Sequence, residues 1–340
     1  MRVLSVAFPS MPVGTALGGG AEQILSIVEQ GIVERGYQSV VVACKGSRVA
    51  GDLIESTSLE DHRHTIRHVL TSYPVDLIHF HGLDFHQYLP DWEMAMLATL
   101  HLPITFYPES IFESGRRRNL TLNCVSRSQA DSTPPSRDLP VVRNGILTES
   151  YAPAEPNGFL LWLGRICPEK GVHIALEVAH RLNAEIIIAG PVHPYPEHLD
   201  YFSRQIKPLL DSRRTYIGPV ELKEKRSLLS RAQCVLVPSL VAETSSLVAM
   251  EALSSGTPVI AFRTGALPEI VDDGETGFLV DSAEQMSQAV LRIDHLSRAH
   301  CRQRAVARFD SSRMIDAYLA LYERIITRHL ANACAPQENL

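Results

Sequence analysis

Two glutamates eight positions apart mark the stretch of this chain that is best suited to chemistry, residues 243–262. A helix is predicted to begin there at Ser245 or Ser246, since serine is a favoured N-cap residue. The backbone N–H groups in the first turn of that helix have no partner within it, so they can bind an anion. Glu243 would lie in the loop before the helix and Glu251 inside it, so that both carboxylates border one pocket.

A pocket with amide groups at its centre and a carboxylate at each side suits a molecule with a phosphate centre and hydroxyl-bearing ends. A nucleotide-sugar has that form. The alternative is a capped helix whose two glutamates are only solvated, and that interpretation would be better for an isolated pair of glutamates. The rest of the chain favours the binding site.

Two cations on a short turn form a second candidate site. Arg165 and Lys170 follow a predicted strand, 159–163, and precede a helix that is predicted to begin at Val172. Arginine can bind two oxygens at once and lysine adds a point charge, so the pair suits a diphosphate. A solvated turn is the alternative.

The pattern Glu-x7-Glu at 243–251, followed by Ala-Leu and Gly-Thr-Pro-Val within 252–259, resembles the signature of family-4 (group 1) retaining glycosyltransferases. The pattern Gly-Arg-x4-Lys-Gly at 164–171 resembles the pyrophosphate clamp of the same family. The resemblance implies an α/β protein of the GT-B fold, with two Rossmann-like, doubly wound parallel-sheet domains and the active site in the cleft between them.

The resemblance also implies roles for individual residues. Glu243 would contact the donor sugar, and Glu251 would hold the ribose hydroxyls. The family often has Phe-Gly where this chain has Ser245-Ser246, and serine still leaves the amides available. The catalytic candidates are Glu243, Arg165, Lys170 and Tyr107; the donor-binding candidates are Gly19, Gly20, Arg165, Lys170, Val220, Ser246, Leu247, Val248 and Glu251.

The candidate site residues in the first half of the chain lie at or after the ends of predicted strands. Residues 104–107 are predicted as a buried strand, and Tyr107 would stand where relatives have a histidine that touches the donor sugar. His79 and His81, two apart at another strand end, point to one face. A structural role and an acceptor contact both stay open for this pair. The glycines at 18–20 lie between a first strand and a first helix, where backbone can approach a ligand.

Strand and helix patterns alternate along the chain, which predicts parallel sheets covered by helices. We expect an N-terminal, acceptor-side domain at 1–150 and a linker at 151–158. A nucleotide-sugar-binding domain would follow at 159–311. The helix at 312–330 would cross back to the first domain.

Composition limits the partners. The net charge of −6 gives no electrostatic case for nucleic acid. Six widely spaced cysteines indicate reduced thiols, and no run approaches the ~18 apolar residues of a membrane span. We therefore expect a cytoplasmic protein, monomer or homodimer. Residues 116–118, three arginines, would meet an anionic acceptor or the inner face of the membrane, or form a solvated turn.

The sequence thus predicts a metal-independent, retaining transferase that moves a hexose-type sugar from a UDP- or GDP-sugar to a glycan, lipid or small-molecule hydroxyl. No resident cofactor is expected. No Asp-x-Asp pair lies at a strand end to bind a metal, and Arg165 with Lys170 would neutralise the diphosphate. The alternatives are another GT-B enzyme, such as a sugar-nucleotide epimerase or a phosphorylase, and a non-catalytic sugar-nucleotide-binding protein. The sugar, the base and the acceptor stay open.

Overall fold

A computed structural model describes residues 1–14, 19–113, 119–134 and 139–334 of the chain. The chain divides into two compact units. The first combines Met1–Gly145 with Ser311–Leu340, and the second is Ile146–Asp310. None of the helices that the structure describes combines the length and the apolar character that crossing a bilayer requires.

Twelve strands and eleven α-helices make up the described parts of the two units. The strands are β1 (Arg2–Val6), β2 (Gln38–Cys44), β3 (Asp52–Ser56), β4 (Leu77–Phe80), β5 (Ala95–Leu100), β6 (Leu120–Cys124), β7 (Leu160–Leu163), β8 (Ile186–Ala189), β9 (Arg214–Gly218), β10 (Cys234–Val237), β11 (Val259–Phe262) and β12 (Gly277–Val280). The helices are α1 (Gly20–Glu34), α2 (Leu59–Ser72), α3 (Arg127–Asp131), α4 (Val172–Arg181), α5 (Pro196–Tyr201), α6 (Leu222–Arg231), α7 (Leu247–Ser254), α8 (Leu267–Ile270), α9 (Ala283–Val290), α10 (Arg298–Phe309) and α11 (Ser311–Cys334).

The first unit is built on a parallel sheet of six strands in the order β3-β2-β1-β4-β5-β6. Its central strands β1, β4 and β5 are buried along almost their whole length, because helices cover both faces of the sheet. Helix α11 closes the unit and buries Tyr318 and Tyr322 completely. It packs closely on α1, where a Cβ on Gly31 would lie 2.3 Å from the Cδ1 atom of Ile315.

The second unit repeats this topology, with the strand order β12-β11-β10-β7-β8-β9. Apolar clusters lie on both faces of its sheet. Strands β7 and β10 are neighbours, and the strand order reverses between them. In a doubly wound sheet, the carboxyl ends of the strands at such a reversal are where ligands bind.

The predicted fold class is confirmed, because both sheets are parallel, doubly wound and covered by helices. The predicted strands at 234–237 and 259–262 agree with β10 and β11. The predicted strand at 104–107 is wrong, since Ile104–Phe106 forms one turn of 3₁₀ helix. The strand of this region is β5, which the sequence analysis did not find.

The division into units differs in detail from the predicted domains. The segment predicted as a linker, 151–158, belongs to the second unit. Tyr151 lies in the core of that unit and is 5% exposed, so the chain is already packed there. The last helix is longer than the predicted 312–330 and is part of the first unit.

Candidate functional site

Two loops meet at the strand reversal of the second unit. One follows β7 and spans 164–171, and the other follows β10 and spans 238–246. Gly171, with a φ of +65°, lies so close to the second loop that a Cβ would stand 2.1 Å from the carbonyl oxygen of Pro238. Only glycine adopts this φ without strain and leaves room for the neighbouring backbone.

Lys170 and Glu243 face each other across these loops. The Nζ atom of Lys170 lies 2.6 Å from Oε1 of Glu243, and the hydroxyl of Ser239 donates to the same oxygen. The Glu243 side chain is 9% exposed and that of Lys170 is 31% exposed. Two residues that are 73 positions apart in sequence thus form one partly buried ion pair.

The backbone at Glu243 is fixed by the loop that follows β11. The N–H of Ala266 donates to the carbonyl oxygen of Glu243 at 2.7 Å. Gly265 has a φ of +52°, and a Cβ on it would lie 2.3 Å from that carbonyl oxygen. The position of the Glu243 carboxylate is therefore set by two loops rather than one.

Arg165 has a different partner from Lys170. Its side chain is 46% exposed, and its Nη2 atom lies 3.5 Å from Oε1 of Glu169. Burial alone would raise the pKa of Glu169, but hydrogen bonds from its own backbone and from Cys167, with the Arg165 charge, hold that pKa below its ordinary value. Each cation of the turn thus has a glutamate as its partner.

Helix α7 begins where the sequence analysis predicted. Ser246 is the N-cap, and its hydroxyl oxygen accepts from the N–H of Ala249 at 3.4 Å. Leu247 and Val248 occupy the first turn and are half-buried. Their N–H groups have no partner within the helix because of their position in it. This end of the helix therefore suits an anion.

Glu251 is almost completely buried, with 2% of its surface exposed. Its Oε1 atom lies 2.6 Å from Nζ of Lys225 and accepts from the hydroxyl of Tyr151 at 2.8 Å. Burial, together with the charge of Glu251, raises the pKa of Tyr151 well above its ordinary value, so the phenol keeps its proton. Lys225 and Tyr151 were not found from the sequence.

The second oxygen of Glu251, Oε2, is buried and has no hydrogen-bond partner among the residues that the structure describes. An unsatisfied buried carboxylate oxygen costs free energy, and such atoms are uncommon in proteins. A ligand hydroxyl would satisfy it.

The predicted contact at Val220 lies at the same end of the sheet. Val220 follows β9 and is half-buried. The neighbouring loop after β8 is joined to this strand end by the N–H of Gly190, which donates to the carbonyl of Gly218 at 2.8 Å. The role of Val220 stays a prediction.

The strand reversal of the first unit, between β1 and β4, carries a chain of hydrogen bonds. The amide of Asn123 donates to a backbone carbonyl, so its oxygen accepts from the hydroxyl of Thr99. Having given its hydrogen, Thr99 accepts from Nε2 of His79, 2.7 Å away. His79 Nδ1 lies 3.2 Å from Nε2 of His81, and Nδ1 of His81 lies 3.1 Å from Nε2 of His101. The bonds to Thr99 and to Tyr322 assign the Nε2–H tautomer to His79.

These histidines are neutral near pH 7. Burial lowers the pKa of His79 and of His81 well below the ordinary value, and it lowers that of His101 to about 4. Tyr322 of α11 also donates to His79, at 2.7 Å, and burial raises the pKa of this tyrosine. The pair that the sequence left open is thus a buried, internally bonded part of the first unit.

The position predicted for Tyr107 needs correction. Tyr107 does not end a strand; it is 6% exposed and packs in the core of the first unit. Its hydroxyl oxygen accepts from the N–H of Leu102 at 3.3 Å. The residue that follows β5 is His101. The sequence had assigned the strand, and therefore its end, to the wrong apolar run.

The glycine loop of the first unit is described only in part. Gly19 caps α1, and its N–H donates to Oε2 of Glu22 at 2.9 Å, so this amide already has an anionic partner. Gly20 is the first residue of the helix and is exposed. Gly18 and the arginines at 116–118 lie outside the described residues.

The fold is that of GT-B glycosyltransferases. The solved structure of AviGT4, named a glycosyltransferase involved in avilamycin A biosynthesis, aligns with a TM-score of 0.75 at 22% identity, over 96% of this chain and 98% of that one. The structure of HepE from Anabaena, in complex with UDP and glucose, aligns with a TM-score of 0.75 at 16% identity, over 95% of this chain and 99% of that one.

Residues 158–294, which lie in the second unit, match the family model described as Glycosyl transferases group 1. D-inositol 3-phosphate glycosyltransferase of Mycobacterium tuberculosis is 34% identical over 234 residues, which cover 63% of this chain and 48% of the relative. The chain thus spans about half the length of the curated relatives it matches. The predicted resemblance to group 1 glycosyltransferases is confirmed.

Proposed function

We propose that the chain is a retaining glycosyltransferase that moves a hexose-type sugar from a UDP- or GDP-sugar to a hydroxyl acceptor without a divalent metal. The observation that carries the proposal is the contact between Lys170 and Glu243, 2.6 Å apart, beside the start of α7 at the strand reversal. A cation for phosphate, a carboxylate for hydroxyls and helix amides thus lie together. The structural neighbour HepE, described in complex with UDP and glucose, supports a nucleotide donor.

The diphosphate would be held by Arg165, Lys170 and the amides at the start of α7. Lys170 has three N–H donors, so it can keep Glu243 and still donate to a phosphate oxygen. Negative charge grows on the diphosphate as the glycosidic bond breaks. Two cations and a helix N-terminus stabilise that charge without a metal ion.

The two ends of the donor would be held by the two glutamates. Oε2 of Glu251, which has no partner among the described residues, would accept from the ribose hydroxyls. Lys225 and Tyr151 hold the other oxygen and so orient the carboxylate. Glu243 would orient the sugar at the reacting carbon.

Retention of the anomeric configuration is part of the proposal. No covalent nucleophile is invoked; the departing phosphate oxygen takes the proton of the acceptor hydroxyl. An NMR time course of the reaction should show the retained anomer from the first turnover. Early formation of the inverted anomer would exclude this mechanism.

In the first unit we propose His101, instead of Tyr107, as the sugar-contacting residue, since it is the residue that ends β5. The acceptor is proposed only as a glycan, lipid or small molecule with a free hydroxyl.

The five described cysteines are not in disulfides, which supports the predicted cytoplasmic location.

The test is a thermal unfolding series with UDP, GDP and ADP. A nucleotide present at 100 times its dissociation constant should stabilise the chain by about 2.7 kcal/mol. UDP or GDP should raise the Tm, and the corresponding sugar nucleotides should then be hydrolysed or transferred with EDTA present. Absence of stabilisation by all three nucleotides contradicts the proposed donor class. Activity that EDTA abolishes and magnesium restores contradicts metal independence, and binding without turnover indicates a non-catalytic binding protein.

A further inference from the structure

A cluster of three metal-ligating side chains lies beside Arg165 at the carboxyl ends of β7 and β8. Cys167 and Glu169 belong to the loop after β7, and His198 belongs to α5, which follows β8. One ligand atom from each of the three lies within 4.8 Å of the others. The donor-binding site proposed above uses none of these three side chains as ligands.

We propose that Cys167, Glu169 and His198 form a binding site for a zinc ion. A thiolate, an imidazole and a carboxylate are the sulfur, nitrogen and oxygen ligands that Zn²⁺ takes in proteins, with water in the fourth position. Magnesium and calcium prefer sets made only of oxygen ligands. The site would therefore select zinc over magnesium and calcium.

The burial of the three residues fits a metal site with one open side. Cys167 is fully buried and His198 is 5% exposed, whereas the Glu169 side chain is 35% exposed. An ion can enter on the Glu169 side, where a water ligand would also fit. The more rigid ligands, on two different elements, form the floor of the site.

The present bonding of the cluster is incomplete. Nδ1 of His198 is buried without a hydrogen-bond partner among the described residues. The Cys167 thiol has one hydrogen for two acceptors, the carbonyl oxygen of Arg165, 3.4 Å from Sγ, and the Glu169 carboxylate. When zinc binds, the Cys167 thiol loses its proton to solvent and the thiolate binds the ion.

Zinc would also change the neighbouring cation site. Glu169 is the carboxylate that accompanies Arg165, at 3.5 Å. A zinc ion that takes this carboxylate leaves Arg165 available to a diphosphate and adds positive charge nearby. Zinc should therefore raise the affinity for a nucleoside diphosphate, and by linkage the nucleotide should raise the affinity for zinc equally. This coupling rests on the proposed function, whereas zinc binding itself does not.

The first experiment measures zinc binding to the full chain after chelator treatment, by competition with a chromophoric chelator. We expect one Zn²⁺ per chain, and with Co²⁺ as a probe a thiolate-to-metal charge-transfer band. Cys167→Ser should remove the band, and both Cys167→Ser and His198→Gln should weaken zinc binding by more than the ~10–100-fold that loss of an outer-shell partner costs. Cys44→Ser, which changes a half-buried thiol of the first unit, is the matched control and should bind zinc normally.

Two results overturn the site. If the chain binds no zinc in the micromolar range, the cluster is only a hydrogen-bonded group. If both variants, shown to be folded by circular dichroism, bind zinc as the unchanged chain does, the ion lies elsewhere. Using two separate variants keeps the test decisive if one of them fails to fold.

The second experiment titrates UDP and GDP with and without saturating zinc. We expect zinc to tighten binding of the preferred nucleotide about 5-fold or more, which is the lower end of usual couplings between sites. Cys167→Ser should abolish this difference. Equal affinities with and without zinc overturn the coupling but leave the site. If neither nucleotide binds while zinc still does, the proposed function fails and the zinc site stands.

Discussion

The two units share one strand order but differ in what lies at the strand reversal. In the first unit, His79, His81 and His101 are neutral and hydrogen-bonded to one another. In the second, the polar groups form ion pairs, and Glu243 and Glu251 each have a lysine partner at 2.6 Å. Similar backbones thus hold one end with neutral histidines that contact one another and one end with charged side chains that a ligand can use.

This difference indicates which unit has polar groups available to bind a ligand and which unit uses its polar groups for stability. Oε2 of Glu251 is buried without a partner in the described structure, and the amides at the start of α7 have none in the helix. In the first unit, the amide of Gly19 already has Glu22 as its partner. Apart from His101, the proposed sugar contact, we therefore expect substitutions in the first unit to change stability, and we expect substitutions in the second unit to change kinetics.

The largest effect should come from Lys170→Ala. Lysine stabilises charge that develops on the diphosphate in the transition state, so kcat should fall by about 10²–10³, as the loss of one preorganised donor typically costs. Steady-state kinetics measure this. Arg181→Ala is a suitable control because Arg181 forms a 2.6 Å ion pair with Glu177 on the exposed face of α4. An unchanged kcat in Lys170→Ala would remove Lys170 from its assigned role.

Glu251→Gln should have the next largest effect, and on a different parameter. The ribose hydroxyls do not change during the reaction, so the loss should raise the donor KM with little change in kcat. A hydrogen bond to a charged group contributes about 1.5–3 kcal/mol, which corresponds to a KM increase of roughly 10–100-fold. Steady-state kinetics measure this, and the Tm of the variant shows whether it is folded. A fall in kcat at constant KM would assign transition-state stabilisation to Glu251 instead of ribose binding.

Acid should destabilise the first unit. Between pH 6.5 and about 4, an unfolded histidine binds a proton that folded His101 excludes, since burial lowers its pKa to about 4. The unfolded state then holds more protons, so stability falls as pH falls, by up to about 1.4 kcal/mol per pH unit for each such histidine. Hydrogen exchange of β4 and β5 amides measures this. His101→Gln should flatten the dependence, whereas His68→Gln, on the exposed face of α2, should leave it unchanged.

The smallest effect concerns the helix caps. Ser246→Ala in the second unit and Ser58→Ala in the first each remove a hydroxyl that accepts from a first-turn amide, at 3.4 Å and 3.1 Å. Each should cost about 1 kcal/mol of stability. Only Ser246→Ala should also reduce the Tm increase that UDP or GDP causes. Equal nucleotide responses in the two variants would show that the start of α7 does not meet the ligand.

The sequence was most informative where a proline stands directly before or after a short apolar run. The runs at 234–237 and 259–262 became β10 and β11 because such punctuation limits a strand to few residues. It was misleading at 104–107, where β-branched and aromatic residues favour a strand and tertiary packing imposes a turn instead. Helix α10 was missed because arginines interrupt its apolar residues, half of which are alanine, so its apolar face is weakly marked.

The candidate site was predicted in part for a similar reason. Glu243, Glu251, Arg165 and Lys170 follow local patterns, and the structure brings Lys170 to Glu243. Lys225 and Tyr151 follow no local pattern: on the sequence, Lys225 is one of several cations on a polar helix. Their partner, Glu251, is 26 residues from one and 100 from the other, so only the fold reveals the contacts.

The closing helix of the first unit has a consequence for how the chain is made. Residues 1–145 leave the ribosome first, but α11, which buries Tyr318 and Tyr322 in the same unit, follows residues 146–310. At roughly 5–20 residues per second, synthesis of the intervening segment takes roughly 10–30 s. During that interval His79 lacks Tyr322, its partner at 2.7 Å. The unit that begins first therefore finishes last, and the second unit, continuous in sequence, can complete its core while the first still waits for its final helix.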